Sequence, residues 1–183
     1  VLGSVYSGVA TATESAALGV VGALIIAVLQ GGVYGGATDL LMACDIGIAL
    51  AGSELRMPAA AIGLHYYPSG LQRYLARIGQ SLTLRAFLTA QPLPVETLAQ
   101  TGLLTAVHSA PAWAAGLGQL LGQIRDLAPL AAQLTKRSIR EIAAGHCDLA
   151  AIRQRQDLTA ASADFLEGRR AFSEKRQPSF VGR

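Results

Sequence analysis

The pattern of hydrophobic and polar residues divides the chain into an α/β part and a helical part. Residues 23–29 form an unbroken apolar run, which is typical of a strand buried on both faces. Residues 45–50 alternate like a strand, and residues 55–57 and 103–107 predict two further short strands. The pattern therefore predicts an α/β core followed by a helical C-terminal region.

Helices are predicted between and after these strands. We expect them over residues 36–44, 72–78, 81–89, 95–101, 112–127, 129–144 and 149–176. Gly79 and Gly102 directly follow two of these segments, where glycine is the favoured residue. In the last helix, Phe165 and Phe172 lie seven residues apart on one face. Glycine bounds residues 63–70, which are predicted to be a loop. Near the N-terminus, residues 1–6 predict a strand and residues 13–21 a helix.

A glycine turn, Gly31-Gly32-Val33-Tyr34-Gly35-Gly36, joins the apolar strand to the first helix. Glycines let the backbone approach a ligand closely, and free N–H groups at a helix start attract negative charge. The phosphate-loop pattern fails because no Lys-Ser/Thr follows, and a dinucleotide fingerprint lacks its spacing and acidic partner. An anion or oxyanion site and a purely structural tight turn both remain open.

Polar side chains near this turn are candidates for chemistry. Asp39 lies one helical turn past Gly35-Gly36. It either stabilises the positive helix end or serves in acid/base catalysis. The cluster His65-Tyr66-Tyr67 lies on the predicted loop. The cluster either packs against the core with one edge exposed to solvent or forms part of an active site.

Composition narrows the class of protein. Hydrophobic residues make up 51% and charged residues 15%, as in a core-rich globular domain. The net charge of +3 is too small to indicate nucleic acid binding. Residues 1–53 hold no Lys or Arg, whereas the C-terminal third is basic, either to meet a phosphate-bearing ligand or as a solvated helix surface. Cys44 and Cys147 lack metal-ligand spacing, so we expect no metal site and a reduced cytoplasmic protein.

One uncharged segment, residues 16–38, is long enough for a membrane span. Six glycines and Gln30 interrupt it, so a soluble strand, turn and helix is the better interpretation. We also expect no signal peptide, because no basic leader precedes a short apolar run with a cleavage site.

The glycine turn and the residues that follow it resemble a known family signature. Residues 31–45, ending in Asp39-Leu-Leu-Met-Ala-Cys-Asp45, resemble the N-G-x-x-x-G-G-G-x-E-L-x-x-x-C-D motif of the enoyl-CoA hydratase/isomerase (crotonase) family. The likeness continues through Met57-Pro58, Gly63-Leu64 and Gln72-Arg73. It ends in residues 172–183, which are similar to the family's F-x-E-K-R-x-P-x-F-x-G tail. The resemblance thus runs from about residue 23 to the end.

This resemblance implies a crotonase-like α/β spiral of repeated β-β-α units with a C-terminal helical trimerisation region. We place the core at residues 1–110 and the helical region at residues 111–183. It also implies a thioester carbonyl held by two backbone N–H groups, of which Gly36 matches one. The other donor normally comes from a segment like F-C-A-G-x-D, and residues 5–8 resemble only its beginning. We expect the N-terminal part to be incomplete or gapped.

Departures from the family pattern bear on the reaction. Hydratases carry two glutamates that share a water, whereas the matching positions here are Asp39 and Ala59. Alanine transfers no proton, so two-glutamate hydration is doubtful. The loop with His65 and Tyr66 resembles that of methylmalonyl-CoA decarboxylase, in which a tyrosine at the Tyr66 position contacts the substrate carboxylate.

The resemblance therefore predicts an acyl-CoA-binding enzyme that stabilises a thioester enolate. Hydratase or isomerase chemistry, a methylmalonyl-CoA-decarboxylase-like or other lyase or hydrolase reaction, and a non-catalytic binding protein are the alternatives. The predicted residues are Gly36, Asp39 and Tyr66 for catalysis, Gly35, His65, Tyr67 and Pro58 for substrate binding, and Phe172 and Lys175 for coenzyme A. We expect a coenzyme A thioester as substrate, no permanently bound cofactor, a homotrimer or dimer of trimers, and no nucleic acid or membrane partner.

Overall fold

The computed structural model describes residues 26–183, with side chains from Leu29 onward. The predicted N-terminal strand and helix, and the segment 5–8 that resembles a second oxyanion donor, lie outside the described residues. The chain divides into two compact units. One spans residues 24–118, and the other contains residues 119–183.

Strands and helices alternate in the first unit. In chain order they are β1 (Ile26–Leu29), β2 (Gly32–Tyr34), α1 (Gly36–Ala43), β3 (Ile46–Leu50), β4 (Glu54–Arg56), α2 (Pro68–Thr89), β5 (Leu93–Pro94), α3 (Val95–Gln100) and β6 (Ala106–His108). Single 3₁₀ turns lie at Ala60–Ile62 and Ala110–Ala112, and α4 (Trp113–Arg125) follows. The succession of two strands and a helix thus occurs twice, as β1-β2-α1 and then β3-β4-α2.

The strands pair into two small sheets within the described part of the chain. One has the order β1-β3-β6, and both of its pairings are parallel. In the other, β2 runs parallel to β4 and β4 runs antiparallel to β5. Because β1 and β2 are consecutive but belong to different sheets, the glycine turn carries the chain from one sheet to the other.

The core of this unit is apolar and packed between the sheets and helices. Its fully buried side chains include Leu41, Met42, Ile48, Leu55, Met57, Tyr74, Leu93, Val95 and Leu98. Burial of each such side chain stabilises the fold by roughly 1.5–3 kcal/mol relative to exposure. This core fixes α1 and α2 against each other, and both helices carry candidate site residues.

Helix α2 differs from the sequence prediction at its start. It begins at Pro68, inside the segment predicted as a loop, because proline suits the first helical position, where its missing N–H costs no bond. The predicted break at Gly79 is confirmed, since this residue has φ 74° and ψ 169° within α2. Strand β2 was not predicted, because glycine-rich sequence carries little strand propensity.

The second unit is helical in its described part. It contains α5 (Pro129–Ala143), α6 (Leu149–Ala160) and α7 (Ala163–Glu174). The predicted single helix over residues 149–176 is wrong, because Ser162 ends one helix and caps the next. Its Oγ accepts a bond from Phe165 N–H at 3.1 Å and donates to the Thr159 carbonyl at 2.7 Å.

The C-terminal tail folds back on α7 and is held by two of its carboxylates. Asp164 is buried and accepts bonds from Val181 N–H at 2.7 Å and Gly182 N–H at 2.9 Å. Glu167 accepts bonds from Arg176 at 2.6 and 2.9 Å and from Ser179 N–H at 2.9 Å. None of the helices between residues 26 and 183 has the length and apolarity needed to cross a membrane.

Candidate active site

The start of α1 presents free backbone donors. Gly35 precedes the helix with φ 56° and ψ −130°, a conformation that favours glycine. Its N–H donates to the Arg56 carbonyl at 3.0 Å, and its own carbonyl accepts from Thr38 N–H at 3.1 Å. Among the described residues, no acceptor bonds to the N–H of Gly36 or Ala37. A Cβ built on Gly36 would meet no atom within 4 Å, so the space beside its Cα is open.

Asp39 is buried one turn into α1 and is held by three donors. Arg73 of α2 donates its Nε to Oδ1 at 2.8 Å and its Nη2 to Oδ2, and the Tyr67 hydroxyl also donates to Oδ2. The bond to Arg73 holds the pKa of Asp39 below its ordinary value of 3.8; burial opposes this, and the Tyr67 bond adds to it. Asp39 is therefore an ionised acceptor, and each of its two oxygens already accepts a hydrogen bond.

The two loop tyrosines have different environments. Tyr66 is buried, with its ring 4.3 Å from that of Tyr67 and 5.2 Å from that of Phe87, centre to centre. Tyr67 is 45% exposed. The Tyr66 hydroxyl donates to the Tyr67 hydroxyl at 3.3 Å. Burial, followed by this bond, raises the pKa of Tyr66 well above its usual range, so its hydroxyl stays protonated. Of the two side chains, that of Tyr67 is thus the more accessible to a ligand.

Glycine at position 70 makes room for this pair. A Cβ there would lie 2.3 Å from Cε1 of Tyr66, closer than real atoms approach, and 3.0 Å from Cε2 of Tyr67, a tight contact. The Gly70 that was predicted to bound a loop is instead the third residue of α2. It allows both aromatic rings to lie against the helix.

A second set of hydrogen bonds connects α2 to the glycine turn. The Tyr74 hydroxyl donates to Thr38 Oγ1, which donates to the Gly35 carbonyl at 2.6 Å. Tyr74 and Thr38 are fully buried. Burial raises the pKa of Tyr74 to about 12, while the Thr38 bond lowers it. This chain connects α2 to the residue that precedes the free donor.

The remaining predicted loop residues surround an apolar cavity. His65 is exposed and borders a cavity of about 230 Å³ with the ring of Tyr66. The other lining residues are Ala60, Leu64, Leu71, Thr83, Leu84, Phe87 and Leu88. Pro58 is half-buried, and its carbonyl accepts from Ile62 N–H at 3.2 Å. Ala59 is buried at 4% exposure, and its methyl side chain carries no ionisable group.

The two candidate coenzyme A residues belong to the helical unit. Phe172, 88% exposed, lies in the last turns of α7 and borders a cavity of about 600 Å³. Lys175 follows the helix with φ 52° and ψ 41°, which is unusual for a residue with a side chain. Its N–H donates to the Phe172 carbonyl at 3.3 Å.

The structure thus brings Asp39, Tyr66 and Tyr67 together and adds Arg73 to them. Sequence reasoning missed Arg73, although Gln72-Arg73 belongs to the likeness with the family. No local pattern pairs a helix residue with an acid 34 positions earlier. Tyr74 and Thr38 were missed for the same reason.

Comparison with known proteins decides the family. The sequence model of the enoyl-CoA hydratase/isomerase family matches residues 10–183. The chain belongs to this family. A 2,3-dehydroadipyl-CoA hydratase of Escherichia coli (strain K12) is 30% identical over 161 residues, which cover 87% of this chain and 63% of that protein. A methylmalonyl-CoA decarboxylase of the same organism is 28% identical over 162 residues, which cover 86% and 62%.

A solved structure supports the fold. The enoyl-CoA hydratase EchA1 of Mycobacterium marinum is 29% identical with a TM-score of 0.75, and the match covers 86% of this chain and 64% of that one. The predicted family and its crotonase-like α/β fold are therefore confirmed. The chain spans about 63% of the length of the relatives it matches.

Proposed function

We propose that the protein processes an acyl-coenzyme A thioester and stabilises its enolate at the N–H of Gly36. The observation that carries this proposal is the free, open donor at the start of α1, one helical turn from the Asp39 cluster. An oxyanion donor of this kind contributes about 2.7–4 kcal/mol to the transition state, because negative charge develops on the thioester oxygen. The two coenzyme A-processing relatives support the same substrate class.

For the reaction, we favour enolate formation by loss of CO2 or a related lyase or hydrolase step. Two features disfavour hydration by paired acids: Ala59 has no proton to give, and Arg73 and Tyr67 already engage Asp39. Decarboxylation needs little base chemistry, since the departing CO2 leaves its electron pair behind. The decarboxylase relative supports this choice. Hydration is the second candidate, because the hydratase relative is equally similar.

The binding roles complete the proposal. Gly35, Pro58, His65 and Tyr67 would contact the acyl part, and the apolar cavity beside Tyr66 would take its hydrocarbon. Phe172 and Lys175 would bind coenzyme A, where a lysine supplies a point charge for phosphate. We further propose no permanent cofactor, a cytoplasmic location, and a homotrimer or dimer of trimers assembled through the helical region.

Gly36→Pro tests the donor directly. Proline removes the N–H yet suits the first position of a helix, so α1 should still form. Gly36→Ala is the matched control, since it keeps the N–H and its Cβ would meet no atom within 4 Å. We expect Gly36→Pro to lower kcat by about 10²- to 10³-fold, with little change in affinity for the thioester.

The measurement uses a panel of enoyl-CoA and carboxyacyl-CoA thioesters, assayed for both hydration and CO2 release. Equal turnover by Gly36→Pro and Gly36→Ala would remove the oxyanion role. Failure of the unaltered protein to bind any coenzyme A thioester would favour a non-catalytic binding protein instead.

A further inference from the structure

Three polar groups surround the hydroxyl of Tyr67. It donates to Asp39 Oδ2 and accepts from the Tyr66 hydroxyl at 3.3 Å. Asp39 first, and then Tyr67, raise the pKa of Arg73, since both lie beside its guanidinium. Tyr67 is 45% exposed, whereas Asp39 and Tyr66 are buried. Tyr67 is therefore the exposed residue of a hydrogen-bonded network in which its hydroxyl bonds two buried partners.

Any enolate formed at Gly36 must receive a proton at its α-carbon, and Asp39 is a poor source. The bond to Arg73 holds the pKa of Asp39 below its ordinary value, so Asp39 is an ionised acceptor at neutral pH. Its two oxygens are also occupied by Arg73 and Tyr67. The Ala59 methyl group offers no proton. The Tyr67 hydroxyl, by contrast, donates a proton to Asp39 in a hydrogen bond, and Tyr67 is 45% exposed.

We propose that Tyr67 is the catalytic residue that delivers this proton, and that Asp39 and Arg73 are positioning residues for its hydroxyl. The inference rests on the proposed function and assigns a further residue to it. The Tyr67 hydroxyl donates its proton to Asp39 in one hydrogen bond. Its oxygen accepts a second hydrogen bond from the Tyr66 hydroxyl. Arg73 fixes Asp39 through two parallel bonds, a geometry that restricts its movement.

With a carboxyacyl thioester as substrate, loss of CO2 precedes proton transfer from Tyr67. The bond between the α-carbon and the carboxylate breaks, CO2 leaves, and the electron pair enters the enolate. The Tyr67 hydroxyl turns from Asp39 to the α-carbon, its O–H bond breaks, and a C–H bond forms with the enolate pair. The resulting phenolate accepts from Tyr66 beside the Arg73 guanidinium, and regains a proton from solvent through its exposed side.

Stereochemistry separates this role from a structural one. Methylmalonyl-CoA is turned over in D2O, and the deuterium in the product is assigned to one face of the α-carbon by NMR. We expect the unaltered protein to label one face. Tyr67→Phe should label both faces, because water then protonates the enolate, with product formation slower by about 10²-fold or more. Asp39→Asn should lose part of the selectivity, since the phenol loses its acceptor.

Tyr34→Phe is the matched control, because it removes an exposed tyrosine hydroxyl that bonds Glu54 at 2.9 Å and keeps the Tyr67 proton. It should keep labelling one face, and melting curves should show both variants folded. The proposal would be overturned if Tyr67→Phe still labelled one face at the unaltered rate. It would also be overturned if His65→Gln were the only variant to lose selectivity. If the panel reveals only hydration, the added α-deuteron is analysed in the same way. A protein that converts neither class of thioester would instead show that the proposed function itself fails.

Discussion

At the scale of single residues, the site is governed by partners that are distant in sequence. The resemblance to the family placed Asp39 near an oxyanion donor, and its position early in α1 could be predicted. Its ionisation could not, because Arg73 reaches it through the packing of two helices. The same holds for Tyr66 and Tyr67, which are adjacent in sequence but differ in burial. Which of the two tyrosine side chains is exposed to solvent depends on Gly70 and the start of α2.

The Asp39–Arg73 pair predicts a specific acid sensitivity. The pKa of Asp39 is 3.8 in an ordinary environment and lower in the folded protein, so the pair stabilises the fold above about pH 4. That stability is lost as pH falls through the folded-state pKa. Urea unfolding at falling pH should show a steeper loss for the unaltered protein than for Asp39→Asn, by at most about 1.4 kcal/mol per pH unit.

Asp126→Asn is the control for this experiment. Asp126 pairs with Arg125, but both side chains are more than half exposed, and such pairs contribute little. Its pH dependence should match that of the unaltered protein. If Asp39→Asn also matches it, Asp39 is not held ionised by Arg73 in the folded state.

At the scale of elements, helix ends marked by glycine were predicted better than helix ends marked by serine. Gly79 was identified because glycine commonly ends helices, and its φ of 74° accounts for the break in α2. The break at Ser162 was missed because residues 149–176 show a continuous helical pattern. Serine before an acid in the first turn, here Asp164, is a start signal that could have found it.

Ser162→Ala should destabilise the helical unit. The substitution removes the acceptor of Phe165 N–H, and loss of a serine cap costs about 0.5–2 kcal/mol. Urea unfolding measures this cost. Ser162→Asp restores an acceptor and should recover most of the loss. Equal stability of Ser162→Ala and the unaltered protein would show that the cap contributes nothing.

At the scale of the whole molecule, the order of elements could be predicted and their pairing could not. Strand content and helix periodicity gave most elements within a few residues. The division of β1 and β2 between two sheets is a tertiary outcome, and three-residue strands such as β2 carry little pattern. The fold of the C-terminal tail was also unpredictable, because it depends on backbone bonds to Asp164 and Glu167.

Weakening the hydrogen bonds to Asp164 should release the C-terminal tail. Asp164→Asn turns one acceptor oxygen into a donor that faces the N–H groups of Val181 and Gly182. We expect hydrogen exchange at these two amides to speed up by about tenfold or more, because an unmet buried bond costs about 1–3 kcal/mol. Asp157→Asn, on the exposed side of α6, is the control and should leave both amides unchanged.

Because Gly35 N–H bonds the Arg56 carbonyl, the proposed oxyanion donor and the acyl-binding loop can change separately during evolution. The proposed oxyanion donor depends on β4 for its place, and Arg56 is itself fastened to the Ala90 carbonyl at 2.8 Å. The tyrosines lie on the connection that follows β4. Residues 63–65 of the proposed acyl-binding loop can therefore be replaced while the donor and Tyr67 stay in place. Directed evolution of new substrates is best begun in that segment.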